Sequence, residues 1–276
     1  MRFQDVIKSN QEYFEDFITR STYHSNAIEG NTLSYGETYA ILWNDNSFKV
    51  KTSPRELYEA INHKYALSYM LENLELPLSK SFVCHIASLV NKNIDEIDNY
   101  RKGSVFIRGA EHIPPLPNEV PQAMMYLMHN IDHTEYENVF EKAASFHLQF
   151  ERIHPFSDGN GRTGRLLINY LLLKEDQVPI VIPKDDRVDY FELLANQDIN
   201  RLSAFFKSLS DKENSIMQRF EMSREEIEES DKPQPFGKDF ETPAFDSDWK
   251  ANMDQKRQDS NSGSSYVPDN NIDIEL

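Results

Sequence analysis

A chain of 276 residues with 39% hydrophobic and 12% aromatic side chains can bury a sizeable core, which excludes a fibrous or wholly disordered protein. Its formal net charge of −17 argues against general binding to nucleic acids or anionic membranes, although it does not exclude a local basic site. The single cysteine, Cys84, cannot form an internal disulfide, which is typical of a reducing compartment. We expect no signal peptide and no membrane span, and therefore a cytoplasmic protein that binds neither nucleic acid nor membrane.

Residues 1–99 read as an N-terminal helical region. Apolar residues recur at helical spacing in each predicted helix, and Gly30 is placed to end the first one. Ser34 with Glu37, and Ser53 with Glu56, have the spacing of capping boxes and predict two helix starts. The predicted helices span about residues 2–29, 34–42, 53–71 and 79–97.

Residues 100–219 are predicted to form a second region, the core of the protein. The segment from Val105 to Ile113 breaks the helical pattern, and its apolar stretches around Gly109 predict a short β-hairpin with a proline-stiffened exit. Helical patterns then resume, so we expect an all-α protein, mainly a helical bundle, with this one hairpin. The predicted helices span about residues 118–131, 136–152, 160–174, 187–196 and 200–209.

Residues 220–276 form the third predicted region, an acidic and mostly disordered tail. Residues 221–229 could extend a charged helix, whereas the chain from Ser230 on is polar and rich in proline, glycine and serine. Isolated aromatic residues in this tail leave open docking on the domain or on a partner. They are Phe236, Phe240, Phe245, Trp249 and Tyr266.

The segment from His154 to Arg165 concentrates the reactive residue types between two apolar helical patterns. A glycine-rich turn that opens a helix presents unpaired N–H groups and the positive end of the helix dipole, which together suit phosphate. Arg162 and Arg165 share one helical face, Asp158 can hold a hard cation, and His154 can take a proton near neutral pH. These residues predict metal-assisted transfer chemistry on a polyphosphate.

The same segment resembles the signature of Fic-domain proteins, His-x-Phe-x-(Asp/Glu)-Gly-Asn-Gly-Arg-x-x-Arg, at every specified position. Residues 25–30, Ser-Asn-Ala-Ile-Glu-Gly, resemble the inhibitory motif of the family, (Ser/Thr)-x-x-x-Glu-(Gly/Asn). The likeness covers roughly residues 23–209. It implies the helical Fic fold, in which the hairpin would be a flap that docks the target protein. An ordinary surface hairpin is the alternative.

The resemblance implies a protein adenylyltransferase, which moves AMP from ATP to a Ser, Thr or Tyr hydroxyl of a target protein and releases pyrophosphate. It implies His154 as the general base and Asp158 as the ligand of Mg²⁺. The intact Gly-Asn-Gly-Arg segment favours transfer of AMP over transfer of phosphate, and transfer of UMP or GMP stays open. The phosphate-binding residues implied are Gly159, Asn160, Gly161, Arg162 and Arg165.

Two further features follow from the resemblance. Tyr190 and Asn196 resemble a pair that contacts adenine in some relatives, at a spacing one residue shorter, and a core tyrosine is the alternative. Ser25 and Glu29 share a helical face, and Glu29 would pair with Arg165, so that ATP binds wrongly or weakly. A solvated glutamate at the helix end is the alternative, although the helix dipole disfavours a carboxylate there.

Other functions stay open. The same site could mainly remove AMP, or the chain could be a nucleotide-responsive interaction module without enzymatic activity. The sequence does not define the target protein, its acceptor residue or the oligomeric state. Self-association through the helical face around Glu29 is also left open.

Overall fold

The computed structural model describes residues 2–43, 50–107 and 112–230, with side chains described as far as residue 223. Within these ranges the chain forms α-helices, one short 3₁₀ helix and loops, and no β-strand. The predicted all-α class is therefore confirmed. None of the described helices is both long and apolar enough to cross a membrane.

The described helices follow one another in chain order. Their bounds are α1, Phe3–Ser9; α2, Gln11–Ile28; α3, Tyr35–Trp43; α4, Pro54–Glu72; α5, Lys80–Val90; α6, Val120–His133; α7, Val139–Ile153; α8, Asn160–Lys174; α9, Arg187–Asn196; and α10, Ile199–Ser230. The 3₁₀ helix spans Lys184–Asp186. Met1–Glu229 forms one compact unit, and Ser230–Leu276 is a second one that lies almost entirely outside the described residues.

The prediction of one continuous helix over residues 2–29 is wrong, because Asn10 interrupts it. Asn10 has extended backbone angles, and its side chain accepts a hydrogen bond from the Tyr13 N–H, which makes it the N-cap of α2. Its amide group also donates to the Phe220 carbonyl of α10, 3.4 Å away. Asparagine favours this capping role over a helix interior, and that preference divides the segment into α1 and α2.

Local capping signals are confirmed at two helix starts. Ser53 and Glu56 form a complete capping box at α4, in which Ser53 accepts from the Glu56 N–H and Glu56 accepts from the Ser53 N–H. Ser34 and Glu37 exchange the same two bonds before α3. Gly30 follows α2 with a φ of +99°, a conformation that glycine adopts without strain.

The C-terminal ends of α5 and α10 differ more from the predicted bounds. The helix predicted to reach residue 97 ends at Val90, where the buried side chain of Asn91 donates to the Ala87 carbonyl and to the Asp158 carbonyl. At the other end, α10 continues past residue 209 to Ser230. The predicted division at residue 99 does not coincide with a break between compact units, because residues on both sides share one core.

The helix that carries the arginines of the motif, α8, lies at the centre of this core. It packs against α7, α5, α4 and α2, and nearly all of its residues are buried. The polar residues Asn160, Arg162, Arg165 and Asn169 are buried with it. A buried polar group is costly without a hydrogen bond or an opposite charge, so we expect these side chains to bond to other groups in the core.

The predicted hairpin is not shown. Residues 104–107 and 112–116 form no strand, and residues 108–111 lie outside the described residues. Phe106 and Ile113 are both exposed on the described flanks. The hairpin and its docking role stay predictions.

Candidate active site

The loop between α7 and α8 has a well-defined conformation. Phe156 is fully buried, and its N–H and carbonyl form a reciprocal pair of 2.9 Å hydrogen bonds with the side-chain amide of Asn160. The buried Phe156 ring and these two bonds hold the loop in place. Asn160 also lines the cavity beside the loop, and its binding of a phosphate stays a prediction.

Close packing at Gly159 explains the glycine that precedes α8. Gly159 has a φ of +72°, and a Cβ placed there would lie 2.5 Å from the Asn91 side-chain nitrogen. The same Asn91 amide donates to the carbonyl of Asp158. Only a residue without a side chain fits this turn, which brings the backbone of the first turn of α8 to the surface of a cavity.

A cavity of about 380 Å³ opens beside the loop. It is lined mainly by the polar residues of the motif, by the end of α2 and by the start of α4. The lining residues are Glu29, Gly30, Asn31, Arg55, Glu56, Glu59, His154, Ser157, Asp158, Gly159, Asn160, Gly161 and Arg162.

His154 ends α7 in the left-handed conformation, with a φ of +50°, and its side chain is 21% exposed. Its Nδ1 lies 3.3 Å from the Glu151 carbonyl. A carbonyl can only accept, so Nδ1 carries the hydrogen and Nε2 keeps its lone pair. Burial, helped by the charge of Arg101, lowers the pKa of His154 below its ordinary value. The imidazole is therefore neutral and available as a base at neutral pH.

Asp158 belongs to a closed ring of four alternating charges with Arg55, Glu59 and Arg162. Arg55 of α4 contacts Asp158 closely and lies 3.0 Å from Glu59, while Arg162 lies 3.5 Å from Glu59 and 3.4 Å from Asp158. Burial raises the pKa of Asp158, but Arg162 and Arg55 outweigh it and hold that pKa below its ordinary value. Asp158 is thus an ionised carboxylate on the cavity wall.

The members of this ring from α4 were not identified from the sequence. Arg55 and Glu59 are four residues apart after a helix cap, and such a pair reads as a solvated helix face. The only sequence signal was their position in the first two turns of α4. Their contact with the motif arises from the packing of α4 against α8.

The two motif arginines are both buried, with 2% exposure for Arg162 and 7% for Arg165. The Arg162 Nε has no hydrogen-bond acceptor among the described residues, and its Nη1 has only the 3.5 Å ion pair with Glu59. The Arg165 Nη1 likewise has no hydrogen-bond acceptor there. Buried guanidinium donors without acceptors are costly, so they mark a place where an anion would be stabilised.

Glu29 contacts Arg165, as the resemblance implied. Arg165 donates to Glu29 Oε1 at 2.7 Å, to the Ser25 hydroxyl at 3.0 Å and to the Ser25 carbonyl at 2.9 Å. A Cβ on Gly161 would lie only 2.2 Å from Glu29 Oε1. The carboxylate therefore lies against the first turn of α8, where the helix dipole and the N–H groups favour an anion.

Tyr190 and Asn196 are not among the residues that line the cavity. Tyr190 is fully buried, and its hydroxyl lies 2.5 Å from Nε2 of the buried His147. Asn196 is exposed at the end of α9. In this arrangement Tyr190 takes the alternative position in the core, and a contact of this pair with adenine stays a prediction.

The described residues offer a metal ion few ligands in this site. No group of three or more His, Cys, Asp or Glu side chains among the described residues is placed to hold an ion. Asp158 offers one ionised carboxylate at 31% side-chain exposure. Mg²⁺ is commonly held by one or two carboxylates together with substrate phosphates, so a single carboxylate beside a phosphate site fits that ion.

Comparison with known proteins identifies the family to which the motif belongs. Residues 77–172 match the model of the Fic/DOC family. The chain is 31% identical over 195 residues to the protein adenylyltransferase Fic of Drosophila virilis, covering 68% of this chain and 40% of that protein. The same protein of Drosophila melanogaster is also 31% identical, with 68% and 39% covered. The chain thus spans about two fifths of these curated relatives.

Solved structures show the same fold. Fic-1 from C. elegans superimposes with a TM-score of 0.65 at 25% identity, covering 82% of this chain and 68% of that one. A Fic domain containing signaling protein from Bacteroides thetaiotaomicron has a TM-score of 0.67 at 24% identity, with 76% and 89% covered. The second likeness concerns the fold alone.

Proposed function

This chain is a Fic-domain protein, and from that premise we propose that it transfers AMP from ATP to a Ser, Thr or Tyr hydroxyl of a target protein, itself included. One observation carries the proposal. A neutral His154 and the buried donors of Arg162 belong to the same short loop and helix start, on the wall of one cavity. The curated relatives are named adenylyltransferases, which supports the same activity.

His154 would act as the general base. Its lone pair on Nε2 would take the proton of the target hydroxyl while that oxygen bonds to the α-phosphorus. The bond between the α-phosphorus and the bridging oxygen breaks, and pyrophosphate leaves with that electron pair. Lowering of the His154 pKa keeps the imidazole unprotonated before the step. The enzyme itself forms no covalent bond.

The start of α8 would hold the polyphosphate. The backbone N–H groups of residues 160 and 161, and that of Gly159 once it leaves Asp158, would stabilise its negative charge. The Arg162 guanidinium, whose Nε has no acceptor among the described residues, would do the same. Arg165 would bind the terminal phosphate once Glu29 releases it. Asp158 would hold Mg²⁺, which when bound neutralises charge on the departing pyrophosphate. For Asp158 to do so, the contact with Arg55 has to open.

Glu29 would restrain this activity. Its carboxylate occupies both the guanidinium of Arg165 and the space against Gly161. A terminal phosphate would compete for the same donors, so ATP binds weakly or in an unproductive position while the pair persists. A cytoplasmic location, and self-association through the face around Glu29, stay predictions; light scattering of the purified chain checks the second.

The first prediction concerns Glu29 and His154. With α-labelled ATP and Mg²⁺, Glu29→Gly raises the label on protein by more than about tenfold, because one ion pair of about 1.4 kcal/mol or more is removed. His154→Ala in that background removes the label. Glu12→Gln, an exposed acidic residue of the same helix, is the matched control and leaves the label unchanged.

The outcomes separate the candidate functions. Equal labelling of wild type and Glu29→Gly contradicts inhibition by Glu29. Labelling that survives His154→Ala contradicts the general base. Release of AMP from a modified target, faster than its addition, identifies removal of AMP as the main activity. Binding of ATP without addition or release of AMP leaves a nucleotide-responsive module.

A further inference from the structure

Arg101 is a buried cation outside the motif. It lies in the loop between α5 and α6 and is 5% exposed. Its guanidinium donates to the carbonyls of His154 at 2.8 Å, Gly103 at 2.9 Å and Pro115 at 2.6 Å. A longer bond of 3.4 Å reaches the Ile153 carbonyl. One side chain thus joins three separate stretches of backbone.

The charge of Arg101 is not balanced by an ion pair with a described residue. No carboxylate of a described residue lies within ion-pair distance of it. Burial lowers its pKa, which shows that the surroundings disfavour the charge. A neutral side chain would avoid this cost if only packing were needed. The rigid fork of five donors is what a guanidinium adds, because no other side chain bonds several carbonyls in fixed directions.

One side of the Arg101 guanidinium holds the loop that carries His154. The last carbonyls of α7 lack partners within the helix, and Arg101 satisfies those of Ile153 and His154. The backbone N–H of Arg101 also donates to the Pro155 carbonyl, at 2.8 Å. His154 has the left-handed backbone conformation, which costs a non-glycine residue of order 1 kcal/mol. These bonds stabilise it in that conformation.

The other side of the guanidinium binds the backbone before and after the predicted hairpin. Gly103 and Pro115 bracket residues 104–114, and both of their carbonyls accept from Arg101. His112 of the same segment contacts the Arg152 carbonyl of α7 at 2.9 Å. The Arg101 guanidinium, together with the His112 contact, therefore links the loop of His154 to the backbone on both sides of this segment.

We propose that Arg101 is a positioning residue for AMP transfer, which sets the His154 imidazole relative to the backbone at Gly103 and Pro115, on the two sides of the predicted target-docking hairpin. This proposal rests on the proposed function. Arg101 does not line the cavity, so it acts on the transfer step and leaves the binding of ATP unchanged. Misplacement of a reacting group by about 1 Å can cost about a hundredfold in rate.

The charge of Arg101 also acts on the base. The pKa of His154 is lowered by burial first and then by Arg101, while the Glu151 carbonyl, Glu29 and Asp158 act in the opposite direction. Removal of the positive charge therefore raises the pKa of His154. The acidic limb of the rate profile then moves to higher pH, because the imidazole stays protonated further.

The experiment compares three variants in the Glu29→Gly background. Arg101→Gln removes the charge and the fork, Arg101→Lys keeps the charge without the fork, and Arg201→Gln changes an exposed arginine of α10 as the control. Three quantities are measured: the Kd of ATP by calorimetry, the rate of label incorporation, and the His154 pKa by NMR. We expect both Arg101 variants to transfer AMP about 10 to 100 times more slowly.

Further results distinguish positioning from general stability. The Kd of ATP stays within about twofold of the control in both variants, and only Arg101→Gln raises the His154 pKa. Should Arg101→Gln not fold, Arg101→Lys decides by its rate and Kd alone. Rates equal to that of Arg201→Gln overturn the proposal, and so does a loss of ATP affinity in proportion to the loss of rate.

A failure of the proposed function would be visible separately. If the Glu29→Gly parent transfers no AMP that depends on His154, the proposed function is wrong. The placement of His154 by Arg101 is then judged from the NMR signal alone. An unchanged His154 signal and pKa in Arg101→Gln would overturn the positioning role as well.

Discussion

At the scale of single residues, the least expected ionisable group is Glu151 in the last turn of α7. Its Oε1 has no hydrogen-bond partner among the described residues, and it lies 4.0 Å from His147 Nε2. Burial, followed by the charge of Glu29, raises the pKa of Glu151 from 4.5 to about 8. Glu151 is therefore protonated at neutral pH in the folded protein and ionised in the unfolded chain.

This difference gives stability a pH dependence. Between pH 4.5 and about 8 the unfolded state releases a proton that the folded state keeps, so the contribution of Glu151 to stability is lost as the pH rises. Glu151→Gln keeps a neutral side chain of the same shape at every pH. We expect the variant to be more stable than wild type at pH 8 and similar to it at pH 4.5.

Thermal unfolding at pH 4.5, 6.5 and 8 checks this prediction. Each kcal/mol corresponds to about 2–4 °C in Tm for a domain of this size. The Tm difference between Glu151→Gln and wild type should grow by several degrees toward pH 8. Parallel pH profiles for the two proteins would show that Glu151 ionises normally in the folded state.

At the scale of helices, α4 fixes the end of α2 that carries Glu29. The Thr32 N–H and hydroxyl both donate to Glu56 Oε1, at 2.8 and 2.7 Å. Asn31 donates to Glu59 Oε2 at 2.9 Å. The Thr32 hydroxyl is the largest cause that lowers the pKa of Glu56 to about 2. The contribution of Glu56 to stability is thus complete above pH 4.5 and is lost as the pH falls toward 2.

Loosening this attachment should weaken inhibition without a change in the ion pair itself. Thr32→Val removes one hydrogen bond to a carboxylate, and a loss of about 1 kcal/mol corresponds to about a fivefold change in an equilibrium. We expect AMP transfer to rise about fivefold with Glu29 present and not at all in the Glu29→Gly background. Transfer is measured with α-labelled ATP, and Thr134→Val, at an exposed threonine, is the control.

Comparing Thr32→Val with Glu29 present and in the Glu29→Gly background tests whether Thr32 acts through Glu29. An equal rise in both backgrounds would mean that Thr32 acts on the transfer step directly. No rise with Glu29 present would show that the attachment of α2 to α4 does not support the Glu29–Arg165 pair.

At the scale of the whole molecule, the N-terminal helices and the motif helices share a core. A buried contact also joins α2 to α10, the last described helix. Glu213 is 2% exposed, accepts two hydrogen bonds from Arg20 at 2.7 and 2.9 Å, and accepts a third from the Tyr13 hydroxyl at 2.8 Å. Met1–Glu229 should therefore unfold as one unit.

Glu213→Gln removes the buried carboxylate that pairs with Arg20, which keeps only its 2.6 Å pair with Asp16. An uncompensated buried charge costs about 3–5 kcal/mol, so with Asp16 still in place the loss stays below that figure, and the Tm should fall by about 2–4 °C for each kcal/mol lost. Calorimetry should still show a single transition. The control is Asp211→Asn, which breaks an exposed pair with Lys207 and should change stability by less than about 1 kcal/mol. Two separate transitions would instead support the predicted division at residue 99.

The sequence by itself determined the features that depend on neighbouring residues. The capping boxes at Ser34 and Ser53 and the glycine turn at Gly30 follow from local hydrogen bonding and backbone sterics. The same holds for the reactive residue types between His154 and Arg165. Their order along the chain already indicated chemistry on phosphate.

Only the tertiary structure decided which distant groups meet. Glu29 and Arg165 are 136 residues apart, and only the family resemblance suggested their contact. Arg55 and Asp158 are 103 residues apart, and no sequence feature indicated that they meet. The same holds for Arg101, which joins three backbone stretches. Such contacts depend on how helices pack, and local sequence patterns carry no information on that packing.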